Sequence, residues 1–144
     1  MARVKLVLPE AFTFTTVLDV RVTEINYGNH VGNDSMVSLL HEARLRYLRC
    51  LGFSEFNIGG LGLMVTDLMV EFKSESFVGE NLKFEVGVND FNKYGCDFIY
   101  RVTCADEGRL VTIAKTGIVF FDYDERKIAR IPKKFTDLVL PKSE

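Results

Sequence analysis

One stretch of this chain has the pattern of a long helix, and everything around it that is patterned reads as strand. Asn33, Asp34 and Ser35 are each favourable first residues for a helix, and Asp34 also suits the positive end of the helix dipole. Met36, Leu39, Leu40, Ala43, Tyr47 and Leu51 then recur at helical spacing, and Gly52 with Phe53 forms a stop signal. A helix from Asp34 to Leu51 spans roughly 27 Å at about 1.5 Å per residue. Val37, Leu45 and Leu48 fall off the main stripe, so the apolar surface is wide enough for burial on more than one side.

Before the helix, Phe12 to Val22 alternates apolar and polar residues with period two, the mark of a half-buried strand. The connection from Thr23 to Gly32 holds Asn26, Gly28, Asn29 and Gly32 and reads as a turn segment. Four further strands are expected after the helix: Leu63 to Lys73, Leu82 to Val88, Asp97 to Thr103 and Leu110 to Phe121. The last is apolar on both faces and is expected at an interior position. Short turns around Gly79-Glu80-Asn81, Asn92-Lys93-Tyr94-Gly95 and Asp106-Glu107-Gly108 imply antiparallel connections. The tail after Asp122, with Pro132, Lys133 and Lys134, reads as polar and rich in turns.

A lone long helix must bury its surface on this small sheet. The economical solution is an α+β hotdog fold, one long central helix wrapped by a five- to six-stranded antiparallel sheet. The chain of 144 residues is expected to form a single domain over 1–144, with its core at about 12–123. So small a sheet leaves an edge and helix surface uncovered, which predicts a homodimer or homotetramer.

Composition narrows the function. With 18 basic and 20 acidic side chains the net charge is −2, which offers no general attraction to nucleic acid or to an anionic membrane. No apolar run has the length of a membrane span or a secretory signal. Cys50, Cys96 and Cys104 are odd in number and irregularly spaced, as expected of free thiols in the cytoplasm. Two histidines without ligand spacing give no metal signal.

The segment Val20-Arg21-Val22-Thr23-Glu24-Ile25-Asn26-Tyr27-Gly28-Asn29-His30-Val31-Gly32-Asn33 resembles the signature of the 4-hydroxybenzoyl-CoA thioesterase-like family, approximately V-R-x-x-x-x-D-x-x-G-H-x-x-N. The likeness continues in Leu40-His41-Glu42-Ala43-Arg44, similar to the family's E-A-R helix, and in Phe72 to Glu80; it extends over about residues 14 to 125. The resemblance implies hydrolysis of an acyl-CoA or acyl-carrier thioester, with coenzyme A as part of the substrate and no separate cofactor. In members with that signature the aspartate is the catalytic carboxylate, and its place here is taken by Asn26. An amide is neither nucleophile nor general base; it can only hydrogen-bond a water or a carbonyl. Other hotdog thioesterases combine a carboxylate on the central helix with an asparagine near its entry, an arrangement that Asn26 with Glu42 or Asp34 resembles.

Thioester hydrolysis needs an activated water and donors aimed at the developing oxyanion. The N–H groups of Val31, Gly32 and Asn33, at the positive end of the helix, are candidate donors. Asn26 is the candidate for orienting water or carbonyl, and Glu42 or Asp34 for the base. His30 is a further candidate base. Bland roles compete: Asp34 as a cap, Glu42 as the ion-pair partner of Arg46, Asn26 and His30 as turn formers. Two other functions stay open on sequence alone. One is a hotdog hydratase or dehydratase using His30 and Glu42. The other is a non-catalytic acyl-CoA binder that has lost its aspartate.

Overall fold

The computed structural model describes residues 4–140, so residues 1–3 and 141–144 of the expected 1–144 unit lie outside the described residues. The order is β1 (Phe14–Asp19), a 3-10 turn (Val22–Glu24), α1 (Asn33–Cys50), β2 (Gly62–Phe72), β3 (Asn81–Asn89), β4 (Gly95–Cys104), β5 (Leu110–Asp122), β6 (Lys127–Ala129) and α2 (Lys133–Val139). The strands form one antiparallel six-stranded sheet in the order β1-β3-β4-β5-β2, with β6 pairing the end of β5. This is the hotdog arrangement, the long helix lying against the concave face.

Helix α1 is buried along Met36, Leu39, Leu40, Ala43 and Tyr47 as the periodicity predicts, and also through Leu48 and Arg44. Each fully buried leucine contributes about 1.5–3 kcal/mol. Its C-terminus closes as expected: Gly52 takes φ 88°, its N–H donates to Arg49 O at 3.0 Å, and Phe53 N–H reaches Leu48 O at 2.8 Å. The N-terminus differs. The cap is Gly32, and none of Asn33, Asp34 and Ser35 caps the helix with its side chain. They already belong to the helix, because Gly32 in the extended conformation starts it one residue earlier.

The middle strand is β4, whose Phe98, Tyr100 and Val102 point at the helix and are fully buried. β5, predicted interior, lies between β4 and β2. The first strand is shorter than the expected Phe12 to Val22. Past Asp19 the chain keeps two ladder-like bonds, from Val20 N–H to Glu80 O and from Gly79 N–H to Val20 O, both at 2.9 Å, before turning into the 3-10 segment. At its start Phe12 leaves the ladder, and its ring lies 4.9 Å beneath the Arg101 guanidinium.

The polar tail predicted after Asp122 is instead β6 and α2. Phe135 and Val139, one helical turn apart, are buried, and Phe135 meets the rings of Phe53, Phe98 and Phe120. The tail is tied to the loop before β4 by the Ile131 N–H, which donates to Lys93 O at 2.9 Å. Cys96 and Cys104 are buried and Cys50 is exposed; burial pushes the Cys96 thiol up to about 12. No helix among the described residues is long and apolar enough to cross a membrane.

Candidate active site

The loop between β1 and α1 is held by its own backbone. Asn26 N–H donates to His30 O at 2.9 Å and Asn29 N–H to Asn26 O at 3.0 Å, closing a tight turn over residues 26–30. Asn29 occupies the left-handed region at φ 67°, where the signature has glycine; asparagine is among the few residues that tolerate it. Below the turn, Glu24 is buried and accepts from Arg21 N and Nε at 3.2 and 3.1 Å and from the Thr23 hydroxyl. Burial pushes its carboxyl up, but the hydrogen bonds from Thr23 and Arg21 prevail and hold it below the usual range.

The side chain of Asn26 is oriented by this turn. Its Oδ1 accepts the Gly28 N–H at 2.9 Å, which leaves the Nδ2 amide as the end free for a ligand. His30 packs beside it: a Cβ placed on Gly28 would lie 3.1 Å from His30 Nε2 and 3.2 Å from Asn26 Oδ1. His30 Nδ1 is 3.2 Å from Val31 O; a carbonyl only accepts, so Nδ1 carries the proton and Nε2 bears the lone pair in the neutral ring. A Cβ on Gly32 would meet Asp34 Oδ1 at 2.7 Å and Asn26 Nδ2 at 3.6 Å, so this glycine is what lets the Asp34 carboxylate and the Asn26 amide approach the loop.

The three expected backbone donors are not equivalent. Val31 N–H donates to Ser76 O at 2.9 Å and Gly32 N–H to Glu24 O at 3.0 Å, so both are already engaged. Those bonds stitch the loop to the segment after β2 and to the 3-10 turn. Asn33 N–H, at the first helical position, has no partner among the described residues. Its side-chain oxygen accepts the Asp34 N–H at 3.0 Å.

Asn26, His30, Val31 and Asn33 come together on the wall of one cleft of about 650 Å³. The opposite wall is Phe72, Lys73, Ser74, Glu75 and Ser76, and the floor includes Met36, Val111 and Thr112. Two of these were not singled out from the sequence. Thr112 is 0% exposed, and its Oγ1 is the one buried side-chain polar atom without a hydrogen-bond partner among the described residues. Such an orphan costs about 1–3 kcal/mol. Glu75, whose side chain is exposed, is the acidic residue of the lining.

Glu42 is elsewhere. It lines a separate cleft of about 540 Å³ with Arg21, Glu24 and Arg46. There it pairs with Arg46 at 3.0 Å, and Arg46 in turn donates to Thr16 Oγ1 and Val17 O, tying α1 to β1. Asp34 sits beside Asn26 but is not on the cleft wall, and its side chain is exposed. Glu80, Cys104 and Glu107 bring ligand-type atoms within 4.8 Å of one another, but the Arg109 guanidinium already pairs with both carboxylates and supplies the cation there.

A six-stranded antiparallel sheet around one long helix, with a polar cleft where the helix begins, defines a hotdog-fold protein with a candidate site at the helix N-terminus. The chain belongs to the thioesterase-like superfamily, whose family model matches residues 20–139, and its activity class is accordingly thioester hydrolysis. Among solved structures it is similar to a 1,4-dihydroxy-2-naphthoyl-CoA thioesterase from Synechocystis, at 22% identity and TM-score 0.80 over 89% of this chain and 98% of that one. A DHNA-CoA thioesterase from Staphylococcus aureus is 26% identical, with TM-score 0.76 over 85% and 83% of the two chains. A hypothetical protein from Aquifex aeolicus is 22% identical, with TM-score 0.80 over 88% and 99%. No curated protein matches the sequence.

Proposed function

We propose that the cleft between the 26–33 loop and the 73–76 segment hydrolyses an acyl-CoA-type thioester to the free acid and thiol. The observation that carries this reading is the convergence of the free Asn26 amide, the open Asn33 N–H and the orphan Thr112 hydroxyl on one cleft. Asn26 Nδ2 and Asn33 N–H are donors at the positive end of an 18-residue helix, the chemistry that stabilises an oxyanion. With its Oδ1 held by Gly28, Asn26 acts on the carbonyl of the substrate and not on the proton of the water. His30 shapes the loop and presents Nε2 beside Asn26. The reaction uses water and the thioester alone, with coenzyme A entering as part of the substrate.

The working unit of this reading is a cytoplasmic homo-oligomer built on a dimer. Its support is the inner face of β2, where Val65, Leu68 and Phe72 are 47, 44 and 55% exposed beside Val37 of α1. Phe72 also lines the cleft, so a second copy there completes the wall of the site.

The test is thiol release from acetyl-, hexanoyl-, palmitoyl- and benzoyl-CoA, with the exposed Cys50 thiol counted as background. Turnover above the uncatalysed rate with at least one of them is expected. Tight binding of these thioesters without thiol release would favour the second reading, a non-catalytic acyl-CoA binder, which the exchange of carboxylate for amide at Asn26 favours.

A further inference from the structure

If residue 26 is a donor to the carbonyl, the hydrolytic water still needs a base, and the cleft holds a carboxylate that the family signature does not predict. We propose that Glu75 is the general base of this chain, taking over on the opposite wall the proton transfer that an aspartate at position 26 performs in relatives bearing the signature. This rests on the thioesterase reading above.

The geometry supports it in three ways. The backbone on both sides of Glu75 is pinned: Ser74 N–H donates to Val111 O at 3.2 Å, Glu75 O accepts from Arg109, and Ser76 O accepts the Val31 N–H at 2.9 Å. The last of these bonds fastens the segment directly to the loop that carries Asn26 and His30. Second, Glu75 is the one acidic residue in the lining of the cleft; its side chain is exposed and has no hydrogen-bond or ion-pair partner among the described residues. Of the other acidic groups nearby, Glu80 and Glu107 are committed to Arg109, Glu71 to Lys73 at 2.7 Å and Glu42 to Arg46, while Asp34 is exposed and does not line the cleft. Third, the Thr112 hydroxyl on the cleft floor has nothing to bond to within the chain. A hydroxyl both donates and accepts, so it is available to a ligand atom that reaches the floor of the cleft.

The step balances with water alone. The water oxygen forms the new bond to the carbonyl carbon while Glu75 takes its proton. The oxyanion is held by Asn26 Nδ2 and Asn33 N–H. It collapses with cleavage of the C–S bond, the sulfur keeps the bonding pair, and Glu75 returns the proton to the leaving thiolate.

The experiment is steady-state hydrolysis of the four acyl-CoAs named above by wild type, Glu75→Gln, Glu75→Asp, Asn26→Asp and Asn26→Asp with Glu75→Gln. Loss of a positioned base is expected to lower kcat by about 100-fold or more in Glu75→Gln with KM within about threefold. Glu75→Asp, which keeps the carboxylate at shorter reach, should lie between it and wild type. The double variant should recover to within about tenfold of wild type, because Asn26→Asp restores a carboxylate to the other wall. Thermal unfolding of each variant separates a lost base from a lost fold. A kcat for folded Glu75→Gln within about threefold of wild type overturns the assignment and leaves the thioesterase reading intact. So does collapse of kcat in Asp34→Asn with Glu75→Gln unaffected. A folded wild type that releases no thiol from any of the four overturns the underlying reading itself.

Discussion

Asn26 and Thr112 reach the same cleft from opposite ends of the sequence, and the structure explains each by what it leaves unbonded. Asn26 spends its oxygen on Gly28 and keeps its amide hydrogens; Thr112 spends nothing. A buried hydroxyl without a partner is a stability cost. Thr112→Val, close to isosteric, is therefore expected to raise stability by about 1 kcal/mol in urea unfolding while lowering kcat/KM by about tenfold. Unchanged kcat/KM would remove Thr112 from the site. The loop half of the cleft was legible in the sequence because its glycines, asparagines and histidine sit in one short segment against a helix start. The other half was not. Thr112 looks like an ordinary residue of an apolar strand, and Glu75 like a solvated charge between two serines. Only the pairing of β2 with β5 and the Val31–Ser76 bond bring them to residues 26–33. Which of the Val31, Gly32 and Asn33 N–H groups stay open likewise depended on Ser76 and Glu24, one of them distant in sequence.

At the scale of elements, helix α1 was read correctly in extent because its periodicity is long, while its buried charge was not foreseen. Arg44 is 5% exposed on a helix face taken as apolar. It donates to Glu55 Oε1 at 2.8 Å and to the Tyr100 hydroxyl at 3.2 Å, and Tyr100 bonds Thr116 at 2.8 Å, so one cation ties α1 to the loop after it and to β4 and β5. His41 Nε2 adds a 3.0 Å contact to the other Glu55 oxygen. Burial pushes the Glu55 carboxyl up, but the hydrogen bonds from Arg44 and His41 outweigh it and hold the carboxyl below its ordinary 4.5. The unfolded chain therefore takes up the proton first. This contribution to stability is complete above about pH 4.5 and is lost as pH falls through the lower folded value. In thermal unfolding followed from pH 6 to pH 3, Glu55→Gln is expected to start lower, by about 3 kcal/mol for the orphaned buried arginine, and to lose less than wild type on acidification. Parallel acid profiles would show that Glu55 is unlinked to folding. The elements missed at the C-terminus were missed for length: β6 has three residues and α2 seven, too few for either period to register. Their place is set by Phe135 filling a gap among aromatic rings that only the closed sheet creates.

For the whole molecule, the two sheet edges differ in kind. β1 is six residues long and carries Thr15, Val17 and Asp19 on its outer face, while β2 runs for eleven. Along β2, Phe72, Val70, Leu68, Val65 and Leu63 are opposite Thr112, Ala114, Thr116, Ile118 and Phe120 of β5 and so face the helix side. Yet α1 leans toward β1 and β3, so much of this apolar row is left bare. A long apolar edge strand invites pairing with another chain, and a second copy offers a self-complementary one. Wild type should therefore sediment at twice its 16.4 kDa mass or a multiple of that. Leu68→Glu places a carboxylate from each copy into the shared face, where burying it unpaired is too costly for the dimer to persist. The variant is expected to sediment at 16.4 kDa, keep its fold by circular dichroism, and lose kcat/KM, since Phe72 carries the cleft wall into the same face. A wild type that sediments at 16.4 kDa across micromolar concentrations would refute the dimer and require the cleft to work with one wall open to water. A Leu68→Glu monomer with full activity would instead show that the site is complete in a single chain, and that the second copy serves the sheet edge alone.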